Sequence, residues 1–135
     1  MDAIIPPCKG PVLGIGVDIV SVSRIRDLIG RQGDRFLDRV YTVAERDYCS
    51  KFKDPSERYA ARFAAKEAVA KAFTTGIGEH LNWKSIGVVP GKRGQPEVEL
   101  DEQGQQLLAQ VGGKRVVVSL SHTEDTAIAF ATLIG

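Results

Sequence analysis

The sequence predicts an α+β fold in one domain, with early helices, one of them long and central, packed on a largely antiparallel sheet. Three features carry that expectation. The first is a glycine-free, alanine-rich run, ERYAARFAAKEAVAKAF over residues 57–73, which no other stretch rivals for length and helix propensity. The second is a change of period after it, to short β-branched runs separated by glycine and proline. The third is size: 135 residues with 43% hydrophobic and 26% charged side chains form a globular domain that buries roughly 65–70% of its unfolded surface.

The elements follow in order. Residues 1–11, with Pro6, Pro7 and Pro11, read as a flexible extension ahead of a domain spanning 12–135. Val12 to Val20 is apolar and β-branched and predicts a strand with an acid, Asp18, near its end. Ser21 or Ser23 caps a helix expected to reach about Ile29, where Gly30 and Gly33 weaken or break it. Thr42, Val43, Ala44 and Glu45 form a capping-box pattern that sets a second helix over roughly 43–52. Asp54 as N-cap, Pro55 as first residue and Glu57 as third-position acid start the long helix. It spans about 27 Å and stops near Gly76 and Gly78.

Beyond it, Trp83 to Val89 predicts a strand, residues 91–96 a turn and Glu97 to Leu100 another strand. Residues 101–111 suit a short helix capped by Asp101, with Gly104 counting against it. Val116–Ser121 and Thr126–Ala131 predict a hairpin around His122, Thr123, Glu124 and Asp125.

A net charge of +1 argues against a general nucleic-acid binder, which needs a strongly basic face. No apolar run approaches the roughly 20 residues of a membrane span, and the N-terminus lacks the pattern of a signal peptide. Cys8 and Cys49, the only cysteines, have no metal or redox spacing and read as inert thiols of a reducing compartment. The expected location is the cytoplasm. Arginines cluster without lysine between Arg24 and Arg39, against Asp27, Asp34 and Asp38. At 100° per residue Arg24, Arg31 and Arg35 fall within about 40° of one another, one stripe if the helix survives both glycines. Local pairing with those aspartates is the alternative.

Glu67 and Lys71 stand four apart on the long helix and share a face with Phe63. An exposed ion pair explains that spacing. So does a metal-binding carboxylate beside a phosphate-neutralising ammonium, since Mg²⁺ takes one or two carboxylates, waters and substrate phosphate oxygens. Asp18 is the other acid that needs a partner, whether a cap, an arginine or a cation. Gly14 and Gly16 before it permit close backbone packing but form no dinucleotide fingerprint. His122 at a strand end is open to a hydrogen-bonding or a catalytic reading.

Taken together these residues follow one pattern. GIGVDIVSVSRI (14–25), RFAAKEAVAKAF with TTG (62–76), the run from Phe36 to Glu45, GQP (94–96) and VSLSHTEDTA (118–127) resemble, in order and spacing, the holo-acyl-carrier-protein synthases. The resemblance covers residue 13 to about 133; the residues before it depart from that pattern. It implies transfer of 4′-phosphopantetheine from coenzyme A to a serine of apo acyl carrier protein, with release of 3′,5′-ADP. It implies Mg²⁺ held by Asp18 and Glu67, with Lys71 near the coenzyme A phosphates. Arg62, Lys66, the Gly76–Gly78 loop and His122 are implied at the coenzyme site. Either Glu67 or a metal-bound water takes the serine proton, and Arg24, Arg31 and Arg35 dock the acidic carrier. Related proteins of this short type resemble homotrimers with sites between subunits. A carrier-binding module without catalysis, or another Mg²⁺ enzyme cleaving a phosphoanhydride, are the competing readings.

Overall fold

The computed structural model describes residues 9–135. Along them run β1 (Val12–Ser21), α1 (Val22–Gln32), α2 (Asp34–Val40), α3 (Val43–Cys49), α4 (Ser56–Ala72), β2 (Ile86–Pro90), β3 (Pro96–Leu100), α5 (Glu102–Gln110), β4 (Arg115–His122) and β5 (Thr126–Ile134). The strands form two antiparallel sheets, β1–β5–β4 and β2–β3. The expected class is therefore the observed one. Cys8 and most of the expected N-terminal extension lie outside the described residues. Of its last three residues, Lys9 accepts at its carbonyl from Arg115 at 3.1 Å. The Pro11 carbonyl takes the Gly135 N–H at 2.9 Å.

α4 is buried on nearly every side because small residues let its neighbours approach. Ala60, Ala64, Ala65, Ala68 and Ala70 are wholly covered. β1 crosses α4 through Gly14 and Gly16. A methyl group at Gly16 would collide with the Ala68 carbonyl and the Ala72 amide, and one at Gly14 with the Ala72 carbonyl. The glycine pair thus serves strand–helix contact, the packing reading of that motif. On this inner face β5 contributes Ala127, Ala129 and Ala131, all fully buried.

Local boundaries differ from expectation where tertiary contacts override propensity. α1 runs through Gly30 and ends at Gly33, whose φ of 56° favours glycine. The chain then re-enters a helix, α2, that the glycine-based reading did not anticipate. Phe36 and Val40 bury its inner face. Arg35 therefore belongs to a different helix from Arg24 and Arg31, and the single-helix stripe is corrected. α3 carries the full capping box of Thr42 and Glu45. The helix expected from Asp54 starts at Ser56; the Asp54 carboxylate accepts from the Ser56 amide at 3.1 Å. Trp83–Ser85 is a 3₁₀ turn ahead of β2, where strand was expected. Gly104 sits within α5 because an added methyl would press on Leu100 at 3.0 Å.

Candidate active site along the central helix

β1 delivers Asp18 to α4. Its inward positions alternate with Gly14, Gly16 and Val20, so closing the glycines onto α4 carries the carboxylate beside the helix. There the Lys71 ammonium donates to Asp18 Oδ1 at 2.9 Å and to the Val17 carbonyl at 3.1 Å. Helical spacing suggested Glu67 as the partner of Lys71; the ion pair is instead with Asp18. Glu67 stands close enough to feel the same charges. Burial and the Asp18 charge push its carboxyl above the ordinary carboxylate range, against the lowering by Lys71 and Arg24. The structure thus gathers all three residues expected to carry the chemistry.

Glu67, whose ionisation is opposed by burial and by the Asp18 charge, is a carboxylate that a cation would relieve. Among the described residues no group of three or more His, Cys, Asp or Glu side chains is arranged for a metal. The donor set is the Asp18–Glu67 pair, which fits a Mg²⁺ ion that keeps waters and takes substrate oxygens.

The residues expected at the coenzyme site separate into three environments. Lys66 does not belong there. It is fully buried, 2.7 Å from Glu45, and donates to the Trp83 and Ile86 carbonyls at 3.0 and 2.5 Å. Its ammonium joins α3, α4 and the start of β2, and the coenzyme assignment is corrected on that ground. Arg62 is 5% exposed. Its guanidinium lies 4.3 Å over the Tyr48 ring, and its Nε has no hydrogen-bond partner. A buried cation left without a carboxylate is costly unless an anion joins it. His122, at the end of β4, stands 3.9 Å from Glu57 in the first turn of α4. Gly76 and Gly78, with φ of 66° and 154°, form the turn after the other end of that helix. From Glu57 to Ala70, whose carbonyl takes the Gly76 amide, is about 20 Å at 1.5 Å per residue.

The arginines expected to dock a partner are all exposed, and the alternative of local aspartate pairing fails. Asp34 and Asp38 both pair with Arg46 on α3, and Asp54 takes Arg26. Among the described residues Arg24, Arg31 and Arg35 make no ion pair. Arg24 also lies 5.7 Å over the Phe63 ring and within reach of Glu67, so it borders the acidic pair. Sequence reasoning missed Glu45, Glu57 and Trp83, whose ring lies 4.8 Å from Phe63. The capping box marked Glu45 for its helix end and nothing marked its second oxygen, which takes the Val88 amide.

Comparison with known proteins shows the family and the fold. The sequence profile of the 4′-phosphopantetheinyl transferase superfamily matches residues 14–131. The holo-[acyl-carrier-protein] synthase of Chlamydia trachomatis serovar D is 47% identical over 120 residues, 89% of this chain and 98% of that one. The crystal structure of the Neisseria meningitidis synthase superposes with a TM-score of 0.86 at 37% identity, covering 93% of this chain and all of that one. A Helicobacter pylori synthase in complex with coenzyme A gives 0.79 at 32% identity, over 88% and 98% of the two chains. With that profile matched over residues 14–131, across β1 and α4, the chain belongs to the 4′-phosphopantetheinyl transferase superfamily.

Proposed function

We propose that this protein is a holo-acyl-carrier-protein synthase, moving 4′-phosphopantetheine from coenzyme A to a serine of apo acyl carrier protein. The observation that supports it best is the convergence of Asp18, Glu67 and Lys71 on one edge of α4, bordered by Arg24. In the reaction a bond forms between the serine oxygen and the β-phosphorus of coenzyme A. The bond from that phosphorus to the departing 3′,5′-ADP breaks, and the serine proton passes to a base. The work left to the protein is alignment and charge stabilisation. Lys71, fixed on Asp18, holds a positive charge where the pyrophosphate lies. Glu67, with its carboxyl pushed up, is suited to take the serine proton. Asp18 and Glu67 would hold Mg²⁺, whose charge when bound offsets that of the pyrophosphate. Arg62, a cation with no carboxylate partner among the described residues, fits a coenzyme phosphate. Arg24, Arg31 and Arg35 fit an acidic carrier surface.

The same reading makes the protein a homotrimer of the cytoplasm, with coenzyme sites between subunits. Two observations favour the assembly. The outer face of the three-stranded sheet presents Ile15, Val17, Ile19, Ile128 and Phe130, each between 41% and 66% exposed. Such a contiguous apolar face marks an association surface. The Gly76–Gly78 turn and His122 also lie at opposite ends of α4, which a site shared by neighbouring chains accommodates. Among the described residues no helix is long and apolar enough to cross a membrane.

Release of 3′,5′-ADP from coenzyme A, followed with and without apo carrier protein, tests the function. The proposal expects release only when the carrier and Mg²⁺ are both present. Release without the carrier would favour a phosphoanhydride hydrolase; none under any condition would favour a binding module.

A further inference from the structure

We infer that Glu57 is a positioning residue for His122, fixing the imidazole at the coenzyme site; this rests on the proposed role of His122. Glu57 is not among the residues expected at the site. Its Oε2 stands 3.9 Å from His122 Nδ1 and 3.5 Å from the Arg58 guanidinium. One carboxylate oxygen thus lies between the imidazole and the Arg58 guanidinium. Arg58 is itself anchored, lying 3.9 Å over the Phe52 ring, and Phe52 packs on Tyr48, the ring beneath Arg62. The carboxylate side chain is only 21% exposed and the imidazole 29%.

The backbone around His122 leaves its ring in need of such a partner. β4 ends there, and a tight turn follows in which Thr123 donates its amide to the Thr126 carbonyl. The Thr123 hydroxyl accepts from the Asp125 and Thr126 amides. That turn fixes the Cα of His122 and not its ring. A carboxylate facing Nδ1 leaves Nε2 directed away from α4, where it donates to an anionic ligand when the ring carries both protons. The gap of 3.9 Å exceeds a hydrogen bond, and such contacts tighten when ligand binds.

Charge alone predicts the opposite result from positioning, which makes the sign informative. A carboxylate beside a phosphate repels it, so removing Glu57 would then tighten coenzyme A binding. Positioning predicts that Glu57→Ala weakens it by about tenfold, the scale of one charge-assisted contact. Glu57→Gln keeps a carbonyl acceptor for Nδ1–H and should fall between. The loss should vanish in a His122→Ala background, because Glu57 acts through that ring. A role as a first-turn acid of α4 would lower Tm equally in both backgrounds and leave affinity alone.

The experiment is calorimetric titration of coenzyme A into the full chain and the variants Glu57→Ala, Glu57→Gln, His122→Ala and Glu57→Ala/His122→Ala. Equal losses from Glu57→Ala in the two backgrounds, or tighter binding, would overturn the inference. Unchanged affinity in His122→Ala would instead remove His122 from the coenzyme site. The inference is then decided by imidazole nitrogen resonances, read against His80, the one other histidine. In Glu57→Ala a shift at His122 with His80 unmoved supports it, and neither moving overturns it.

Discussion

Replacing Lys66 with methionine removes the ammonium on which three elements converge. It leaves the Glu45 carboxylate fully buried, still accepting the Thr42 and Val88 amides at 2.9 Å each but without a counter-charge. It also strips the Trp83 and Ile86 carbonyls of a donor. Breaking a buried pair from one side costs about 3–5 kcal/mol. Against a total stability of roughly 5–15 kcal/mol, that is a large share of what holds the domain folded. At this chain length it corresponds to a fall in Tm on the order of 15 °C. The charge left behind should cause most of the loss, so Lys66→Met/Glu45→Gln should recover about 1–2 kcal/mol relative to Lys66→Met. Urea unfolding of the two variants, followed by the fluorescence of Trp83, measures both numbers. A loss below about 1 kcal/mol for Lys66→Met, or a double variant no better than the single one, would refute the reasoning.

Glu67→Gln should cut turnover by orders of magnitude while raising Tm in Mg²⁺-free buffer at neutral pH. The folded carboxyl titrates above its unfolded value, so ionised Glu67 opposes folding, and that opposition fades as pH falls toward the ordinary carboxylate range. The Tm gain of the variant should shrink in parallel, as thermal scans across that window would show. Arg31→Glu and Arg35→Glu should raise KM for the carrier and not for coenzyme A, with the defect shrinking at high salt. Arg24→Glu, beside Phe63 and Glu67, should disturb both, and steady-state titrations at two ionic strengths separate the cases. Gly16→Ala should cost about 2–4 kcal/mol by driving β1 off α4, measurable by urea unfolding. Thr74→Gly should stabilise by roughly 0.5–1 kcal/mol, since Thr74 holds a φ of 66° that suits glycine.

Much of the fold was legible because local and tertiary signals agreed. The alanine-rich run, the Thr42–Glu45 capping box and the β-branched hairpin each specify an element through its own residues. α2 was hidden because Gly30 and Gly33 read as breakers, whereas burial of Phe36 and Val40 re-forms a helix beyond them. Asp18, Glu67 and Lys71 were legible as types at spacings, but the Lys71–Asp18 pair depends on glycines closing β1 onto α4. Lys66 misled for a physical reason: a lysine in a helix reads as exposed unless its buried acid, 21 residues earlier, is known. Glu57 was legible only as a helix-starting acid, because its contact with His122 crosses from α4 to the end of β4.

The central claim is transfer to a protein serine, and intact mass of the acceptor tests it most directly. An apo acyl carrier protein incubated with coenzyme A, Mg²⁺ and this protein should gain the mass of one phosphopantetheine group. A carrier whose acceptor serine is replaced by alanine should gain nothing, and Glu67→Gln enzyme should give little gain over the same interval. An unchanged carrier mass with folded wild-type protein, or equal modification of the serine-free carrier, would contradict the account.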